Sequence, residues 1–93
     1  MTWWQSLAWT LRISNTAKRQ LKKLDRSTAQ ALLRYLNRLL LEVENPRQRG
    51  KPLTANLAGL WRYRVGDYRL ICDLQDGELV LVLQIAHRSE AYR

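Results

Sequence analysis

A two-residue turn in the middle of the sequence sets the pairing of the strands on either side of it. Strand-forming residues run up to Val65 and resume at Tyr68, and the intervening Gly66-Asp67 is typical of a tight β-hairpin. The turn places Val65 opposite Tyr68 and Arg64 opposite Arg69. Because successive side chains point to opposite faces of a strand, the hairpin has one apolar face and one basic face.

The two faces of this hairpin predict a core and an anion site. The apolar face, which we expect to be core, contains Trp61, Tyr63, Val65, Tyr68, Leu70 and Cys72. The other face contains Arg62, Arg64 and Arg69, which together we call the arginine face. Like charges directly opposite each other destabilise a sheet, so stability alone does not explain why Arg64 faces Arg69. We therefore expect the arginine face to bind an anion.

A second hairpin is predicted at Asp76-Gly77, which is the strongest short turn signal for antiparallel strands. With a two-residue turn, the expected pairs are Leu74 with Leu79, Cys72 with Leu81, Leu70 with Leu83, Tyr68 with Ile85, Ile71 with Val82 and Arg69 with Gln84. The core face would then continue across three antiparallel strands. The same alternation places Arg88 on the side of the arginine face if the last strand extends that far.

The first half of the sequence predicts a strand and two helices. Residues 8–13 alternate as a half-buried strand, and Ser14-Asn15-Thr16 offers N-caps for a basic amphipathic helix of about three turns. Ser27 with Gln30 resembles a capping box for a longer helix that ends near Glu44. Its apolar stripe consists of Ala29, Leu32, Leu33, Leu36, Leu39, Leu40 and Val43. The short connection predicts an antiparallel helical hairpin.

The order of these elements predicts one small α+β domain. Asn45-Pro46 ends the second helix, and residues 46–58 are expected to form a basic loop that is long enough to be functional. The expected fold is β-α-α-β-β-β, with the helical hairpin on one face of a small, mainly antiparallel sheet and the arginine face open. We assign residues 8–93 to this domain and residues 1–7 to an extension that packs on the surface or is disordered.

The charge balance predicts a polyanionic partner. Sixteen Lys and Arg against eight Asp and Glu give a net charge of +8, which points to nucleic acid, an acidic protein or a membrane surface.

With no apolar run of about 20 residues and no signal peptide, we expect a cytoplasmic protein that does not interact with membranes. A single cysteine, Cys72, leaves no intramolecular disulfide and no cysteine zinc site. No metal or cofactor is predicted.

The arginine face suits the phosphates of single-stranded RNA, because guanidinium groups bind phosphate bidentately and stay charged. Cleavage would also need a proton acceptor and a proton donor. The sequence has one histidine, His87, and no Gly-rich phosphate loop. Considered alone, the residues favour RNA binding over catalysis by about two to one.

Four segments resemble the RelE toxins of bacterial toxin–antitoxin pairs, within the RelE/ParE superfamily. They are residues 15–25, Asn45-Pro46 with residues 50–53, residues 59–69, and residues 85–93 with their ending His-Arg-Ser-Glu-Ala-Tyr-Arg. The resemblance spans about Ala8 to Arg93. It implies a metal-independent endoribonuclease (an mRNA interferase) that cuts mRNA in the ribosomal A site. The 2′-hydroxyl would attack the adjacent phosphate and leave a 2′,3′-cyclic phosphate or a 3′-phosphate.

The resemblance also implies the working residues and the partners. Its catalytic residues correspond by position to Arg62, Arg64, Arg69, Arg88 and Tyr92, with Tyr92 against the base and Arg88 at the leaving group. Because arginine does not readily deprotonate, the general base stays open among His87, Lys51, Tyr92 and a water. Candidate RNA or ribosome contacts are Lys18, Arg19, Lys22, Lys23, Arg47, Arg49 and Lys51.

The implied partners are an acidic RelB-like antitoxin, the ribosome with its mRNA, and operator DNA only as the toxin–antitoxin complex. A ParE-like inhibitor of DNA gyrase is the main alternative, although ParE relatives typically lack the arginine face with its terminal tyrosine. A non-catalytic RNA-binding module is the other alternative. The cations of the first helix could also be a solvated face without a partner.

Overall fold

The computed structural model describes residues 9–75 and 79–89. It shows a mixed five-stranded sheet with two α-helices on one face. The elements are β1 Thr10–Ile13, α1 Asn15–Lys22, α2 Arg26–Glu42, β2 Lys51–Pro52, β3 Leu60–Val65, β4 Tyr68–Gln75 and β5 Leu79–His87. The strands lie in the order β1-β5-β4-β3-β2, and β1 runs parallel to β5 while the other neighbours are antiparallel. The predicted α+β class and the helical hairpin are confirmed. The predicted extension, residues 1–7, lies outside the described residues.

The core lies between α2 and the apolar face of the β3–β4 hairpin. Tyr63, Leu70 and Cys72 are completely buried, and they pack in one cluster with the helix residues Leu32 and Leu36. Burial raises the pKa of Cys72 to about 12, so its thiol is a small neutral core group. The prediction that this face of the hairpin is core is confirmed.

Both helices begin at a capped residue, but the second cap differs from the prediction. The hydroxyl of Ser14 accepts the Ala17 N–H at 3.0 Å, and α1 then spans only eight residues instead of about three turns. Asp25 caps α2, because its carboxylate accepts the N–H of Thr28 and the hydroxyls of Ser27 and Thr28. The predicted Ser27–Gln30 capping box is therefore wrong, since the Ser27 hydroxyl donates to a stronger acceptor two residues earlier. The second helix ends at Glu42 rather than near Glu44.

The predicted register of the β4–β5 hairpin is also wrong. Gln75 pairs with Leu79 and Cys72 with Val82, which leaves three residues in the connection instead of two. A β-bulge then shifts the pairing by one further residue, so that Leu70 lies opposite Ile85. As a result Val80, Val82 and Ile85 are buried, and the expected core residues Leu79, Leu81 and Leu83 are not.

The bulge has a structural cause in the residues that follow β1. Leu83 is the unpaired residue of β5, and its carbonyl accepts the Ser14 hydroxyl at 2.9 Å. Two residues later the Ile85 N–H donates to the side-chain oxygen of Gln20 at 2.6 Å. The side chains of Ser14, which caps α1, and Gln20, within α1, therefore bond the β5 backbone where β1 ends at Ile13, and they support the end of β5 that leads to Arg88.

The segment 46–58 is more ordered than the predicted loop. It contains the short edge strand β2, which pairs Lys51 with Arg62 and Pro52 with Trp61, and two 3-10 turns, Pro46–Gln48 and Ala55–Leu57. Sequence patterns do not identify β2 because it has only two residues, one of them a proline, and its alternation is too short to see.

We expect Asp25→Ala to lower the melting temperature at pH 7 but to have little effect near pH 2. Hydrogen bonds from Ser27 and Thr28 lower the pKa of Asp25 to about 2 in the folded protein. A carboxylate with a depressed pKa stabilises the fold above its unfolded pKa, and that stabilisation is lost as the pH falls through the folded pKa. Thermal melts followed by circular dichroism from pH 7 to pH 2 would measure the gap, and a gap that stays constant with pH would contradict this assignment.

Candidate functional site

Basic side chains stand in two neighbouring rows across the open face of the sheet. The first row contains Arg64, Arg69 and Ala86 as successive cross-strand partners. The second row pairs Lys51 with Arg62. Cross-strand partners have Cβ atoms about 4.5 to 5.5 Å apart, so Arg64 and Arg69 are direct neighbours as predicted. The helices cover the other face of the sheet, and on this face Arg64 is exposed and Arg69 is half-buried.

The Gly66-Asp67 turn makes polar contacts with both Arg69 and Arg88. The Arg69 guanidinium donates through Nη1 to the carbonyl oxygens of Gly66 and Tyr68, at 3.2 and 3.0 Å. The backbone N–H of Arg88 donates to the Asp67 carbonyl at 2.7 Å, and its Nε lies 3.8 Å from the Asp67 carboxylate. This ion pair is exposed and adds little stability, but it keeps Arg88 beside the turn that carries Arg69.

The four arginines predicted from the sequence therefore lie in two neighbouring places. Arg64, Arg69 and Arg88 lie near the Gly66-Asp67 turn, and Arg62 lies in the second row beside Lys51. Beyond the bulge, the even-numbered residues of β5 lie on the side of the arginine face, as the sequence predicts. Arg69, however, pairs with Ala86 rather than with Gln84. The fifth predicted catalytic residue, Tyr92, lies outside the described residues.

The two acid–base candidates lie on opposite faces of the sheet. His87 pairs with Tyr68, and their rings meet edge to face with centroids 5.5 Å apart on the helix side. The His87 Nδ1 also lies 3.0 Å from the hydroxyl of Ser89. Lys51, in contrast, stands beside Arg62 on the arginine face. The structure thus brings Lys51, but not His87, to the predicted anion site.

Arg47 and Arg49, predicted as RNA contacts, have partners away from the arginine face. Arg47 donates to the Leu74 carbonyl at 3.1 Å and lies over the Trp9 ring at 5.7 Å. Arg49 is exposed and lies 4.0 Å from the carboxylate of Glu42. Arg47 therefore holds the segment after α2 against the sheet, whereas Arg49 remains accessible.

The basic helix forms a separate exposed surface. Lys18, Arg19, Lys22 and Lys23 are all exposed on or just after α1. This helix contacts β5, whereas the arginine face is built on β3 and β4. The four cations can therefore contact a phosphate backbone, but they do not join the arginine cluster.

Lys51 reaches Arg62 because the preceding segment lies tightly against β3. The buried Tyr63 hydroxyl donates to the Pro46 carbonyl at 2.8 Å. Gly50 has a φ of 75°, and a Cβ atom there would lie 2.7 Å from both the Arg62 carbonyl oxygen and the Tyr63 ring. Only glycine fits this approach without a shift of its neighbours.

Sequence reasoning missed a groove between α2 and β3, which we call the α2 groove. It is lined by Arg34, Tyr35, Arg38, Lys51, Arg62 and Arg64. The sequence does show that Arg34 and Arg38, four residues apart, lie on the same side of a helix. It does not show that Tyr35 and two arginines of the sheet line the same groove.

Across residues 9–75 and 79–89, no three His, Cys, Asp or Glu side chains lie together in a way that could hold a metal ion. No helix in the same ranges is long and apolar enough to cross a membrane.

Comparison with known proteins gives one consistent group of toxins. The sequence model of the family described as the ParE toxin of the type II toxin–antitoxin system parDE matches residues 11–92. Toxin RelE of Mycobacterium tuberculosis is 40% identical over 82 residues, covering 87% of this chain and 82% of that protein. Toxin RelG of the same organism is 35% identical over 92 residues, covering 94% and 99%. The fold matches a chain of the M. tuberculosis RelBE2 toxin–antitoxin complex with a TM-score of 0.76 and 35% identity, covering 87% of this chain and 99% of that chain.

We expect Gly50→Ala to destabilise the protein more than Gly66→Ala. Both glycines have positive φ, which costs an alanine about 1 to 2 kcal/mol at either position. Only at Gly50 does the added methyl group also meet backbone and ring atoms, and overpacking adds about 1 to 3 kcal/mol. Urea unfolding of the two variants measures the difference, and equal losses would show that the contact at Gly50 relaxes freely.

Proposed function

The chain belongs to the RelE family of toxins from type II toxin–antitoxin systems, and from this membership we propose that it is a ribosome-dependent endoribonuclease. In this proposal it cuts mRNA in the ribosomal A site and so inhibits translation. The observation that carries the proposal is the direct pairing of Arg64 with Arg69 on an open face, with Arg88 held at the same turn. That arrangement costs stability and is suited to a phosphate.

The proposed reaction is a transfer within the RNA itself. The 2′-hydroxyl oxygen attacks the adjacent phosphorus, the bond from phosphorus to the 5′ oxygen breaks, and a 2′,3′-cyclic phosphate and a 5′-hydroxyl form. A base takes the proton of the 2′-hydroxyl, and the leaving 5′ oxygen gains a proton. The pentacovalent phosphate carries additional negative charge, which fixed cations stabilise more strongly than they stabilise the starting phosphate.

The positions of the side chains suggest their roles. Arg64 and Arg69 face each other across two strands and can bind the non-bridging oxygens of one phosphate. Arg88, anchored at the neighbouring turn, can neutralise the charge that develops on the leaving oxygen. We assign Arg62 to the next phosphate and Tyr92 to a base of the mRNA.

The proposed base is a water molecule that Lys51 orients. An arginine stays protonated and is a poor proton acceptor. Lys51 stands in the row next to Arg64 and Arg69, whereas His87 packs against Tyr68 on the helix side. This placement favours Lys51 over His87.

The proposed protein partner is an acidic, RelB-like antitoxin. The RelBE2 structure is that of a toxin–antitoxin complex, and this chain carries a net charge of +8. An acidic segment that covers the arginine face would block the phosphate site, and the complex rather than the free toxin would contact operator DNA. The exposed cations of α1, together with Arg49, would face ribosomal RNA phosphates.

Inhibition of DNA gyrase is the second candidate, because the matching family description names ParE. It does not require a phosphate site on the sheet. The arginine pair therefore favours RNA cleavage.

Primer extension on a translated message tests the proposal. Wild-type protein should produce cuts at fixed positions within codons only when ribosomes are present. Arg69→Ala and Arg88→Ala should each lower cutting by about 100-fold or more, as is typical when one stabilising group is removed from a developing oxyanion. The matched controls are Arg26→Ala, an exposed arginine at the start of α2, and His87→Gln, and both should keep cutting.

The two candidate functions predict opposite results in treated cells. Cleaved gyrase–DNA complexes together with intact messages would contradict the RNA proposal. Full toxicity of folded Arg69→Ala and Arg88→Ala proteins would show that the arginine face is not the site.

A further inference from the structure

The α2 groove lies at the edge of the sheet beside the arginine face. The described part of β2 pairs only with Trp61 and Arg62, so the last three residues of β3 border the groove. Two adjoining cavities of about 220 and 230 Å³ meet at Tyr35, which lines both. Arg62 and Arg64 line the second cavity and also belong to the arginine face. The groove and the arginine face are therefore continuous.

Tyr35 is held in place from one side. Its ring packs against the buried Tyr63 ring with centroids 6.3 Å apart and planes at 56°. Tyr63 is itself fixed by its hydrogen bond to Pro46. Burial raises the pKa of Tyr35, so its hydroxyl is a neutral hydrogen-bond donor.

Both walls of the groove carry cations, although Ala31, Gly50 and Val65 also line it. Arg34 and Arg38 come from α2, and Lys51, Arg62 and Arg64 come from β2 and β3. The nearby carboxylate of Glu42 is shared between Arg38, at 3.8 Å, and Arg49, at 4.0 Å. An aromatic ring among several cations matches the two parts of a nucleotide, because a base stacks on the ring and a phosphate binds the cations.

We propose that the α2 groove binds the nucleotide next to the cleaved phosphate, with its base against Tyr35 and its phosphate at Lys51 and Arg62. This inference rests on the proposed RNA cleavage. The two basic rows are two residues apart along β3, which is about 7 Å. An RNA strand whose reacting phosphate lies between Arg64 and Arg69 can therefore place its next phosphate at the second row. The splayed base then enters the groove, as is usual when proteins bind single-stranded RNA.

Tyr35 is a positioning residue in this proposal and takes no part in proton transfer. Its ring would hold one base out of the stack, which orients the 2′-hydroxyl towards the phosphate at Arg64 and Arg69. Stacking accepts every base, so Tyr35 would add affinity rather than strict sequence preference.

The test uses short single-stranded oligoribonucleotides that carry 2-aminopurine at one position at a time. Its fluorescence falls when the base stacks on an aromatic ring. Wild-type protein and Tyr35→Phe should quench one position, and Tyr35→Leu should lose that quenching and bind at least about fivefold more weakly. Leu41→Ala is the matched control, since Leu41 lies on the outer side of the same helix and is 86% exposed.

A second measurement does not depend on the packing of Tyr35. Lys51→Ala should lower the slope of log affinity against log salt by about 0.7, because one phosphate contact is lost. Arg26→Ala, outside the groove, should leave that slope unchanged. Together with the quenching pattern, this result would support a nucleotide site in the groove.

Three results would overturn the inference: no quenched position in the wild type, quenching that persists in a folded Tyr35→Leu protein, or an unchanged salt slope in Lys51→Ala. None of these depends on cleavage. Failure of the proposed function would appear separately, as the absence of ribosome-dependent cuts by the wild-type protein.

Discussion

The register of the β3–β4 hairpin is the constraint on which the rest of the molecule depends. It places Tyr63, Leu70 and Cys72 under α2 and, on the other face, sets Arg64 against Arg69. A slip of one residue would exchange the two faces. Burial of a large apolar side chain contributes about 1.5 to 3 kcal/mol, whereas an opposed pair of like charges costs up to about 1 kcal/mol. The core therefore keeps the arginines together despite their repulsion.

The arginine face also depends on contacts from distant parts of the chain. Ser14, the N-cap of α1, and Gln20, within α1, bond the backbone of β5 at its bulge and position the strand end that leads to Arg88. On the other side of the sheet, the Tyr63–Pro46 hydrogen bond and Gly50 bring Lys51 to Arg62. The cluster of cations is thus assembled by two supports, one on β5 and one beside β3.

Local signals in the sequence predict the part of the site that lies within one hairpin. The Gly66-Asp67 turn specifies the facing arginines, and the structure reproduces every pair that it predicts. The register of β5 could not be predicted, because the bulge at Leu83 depends on hydrogen bonds from residues about 65 to 70 positions earlier. The side of the sheet on which His87 lies follows from the same bulge.

The features that sequence reasoning missed share a dependence on packing between elements. Strand β2 is defined by its pairing with β3, and the α2 groove lies where Tyr35 of the helix packs on Tyr63 of the sheet. Arg47 looks like a free loop cation in the sequence, yet it bonds Leu74 and covers Trp9. Charge alone does not separate a cation that binds a ligand from one that holds the fold, because both have the same sequence signature.

The central claim, that the arginine face binds the reacting phosphate, can be tested by nitrogen-15 NMR of the arginine side chains. A 2′-O-methyl oligoribonucleotide cannot be cut, since its 2′ oxygen cannot act as the nucleophile. On its addition, the Nε–H resonances of Arg64, Arg69 and Arg88 should shift together with one affinity. The Arg47 resonance should stay in place, because that guanidinium lies away from the arginine face, against the Leu74 carbonyl and the Trp9 ring. Shifts confined to the cations of α1, with the arginine face unchanged, would contradict the account.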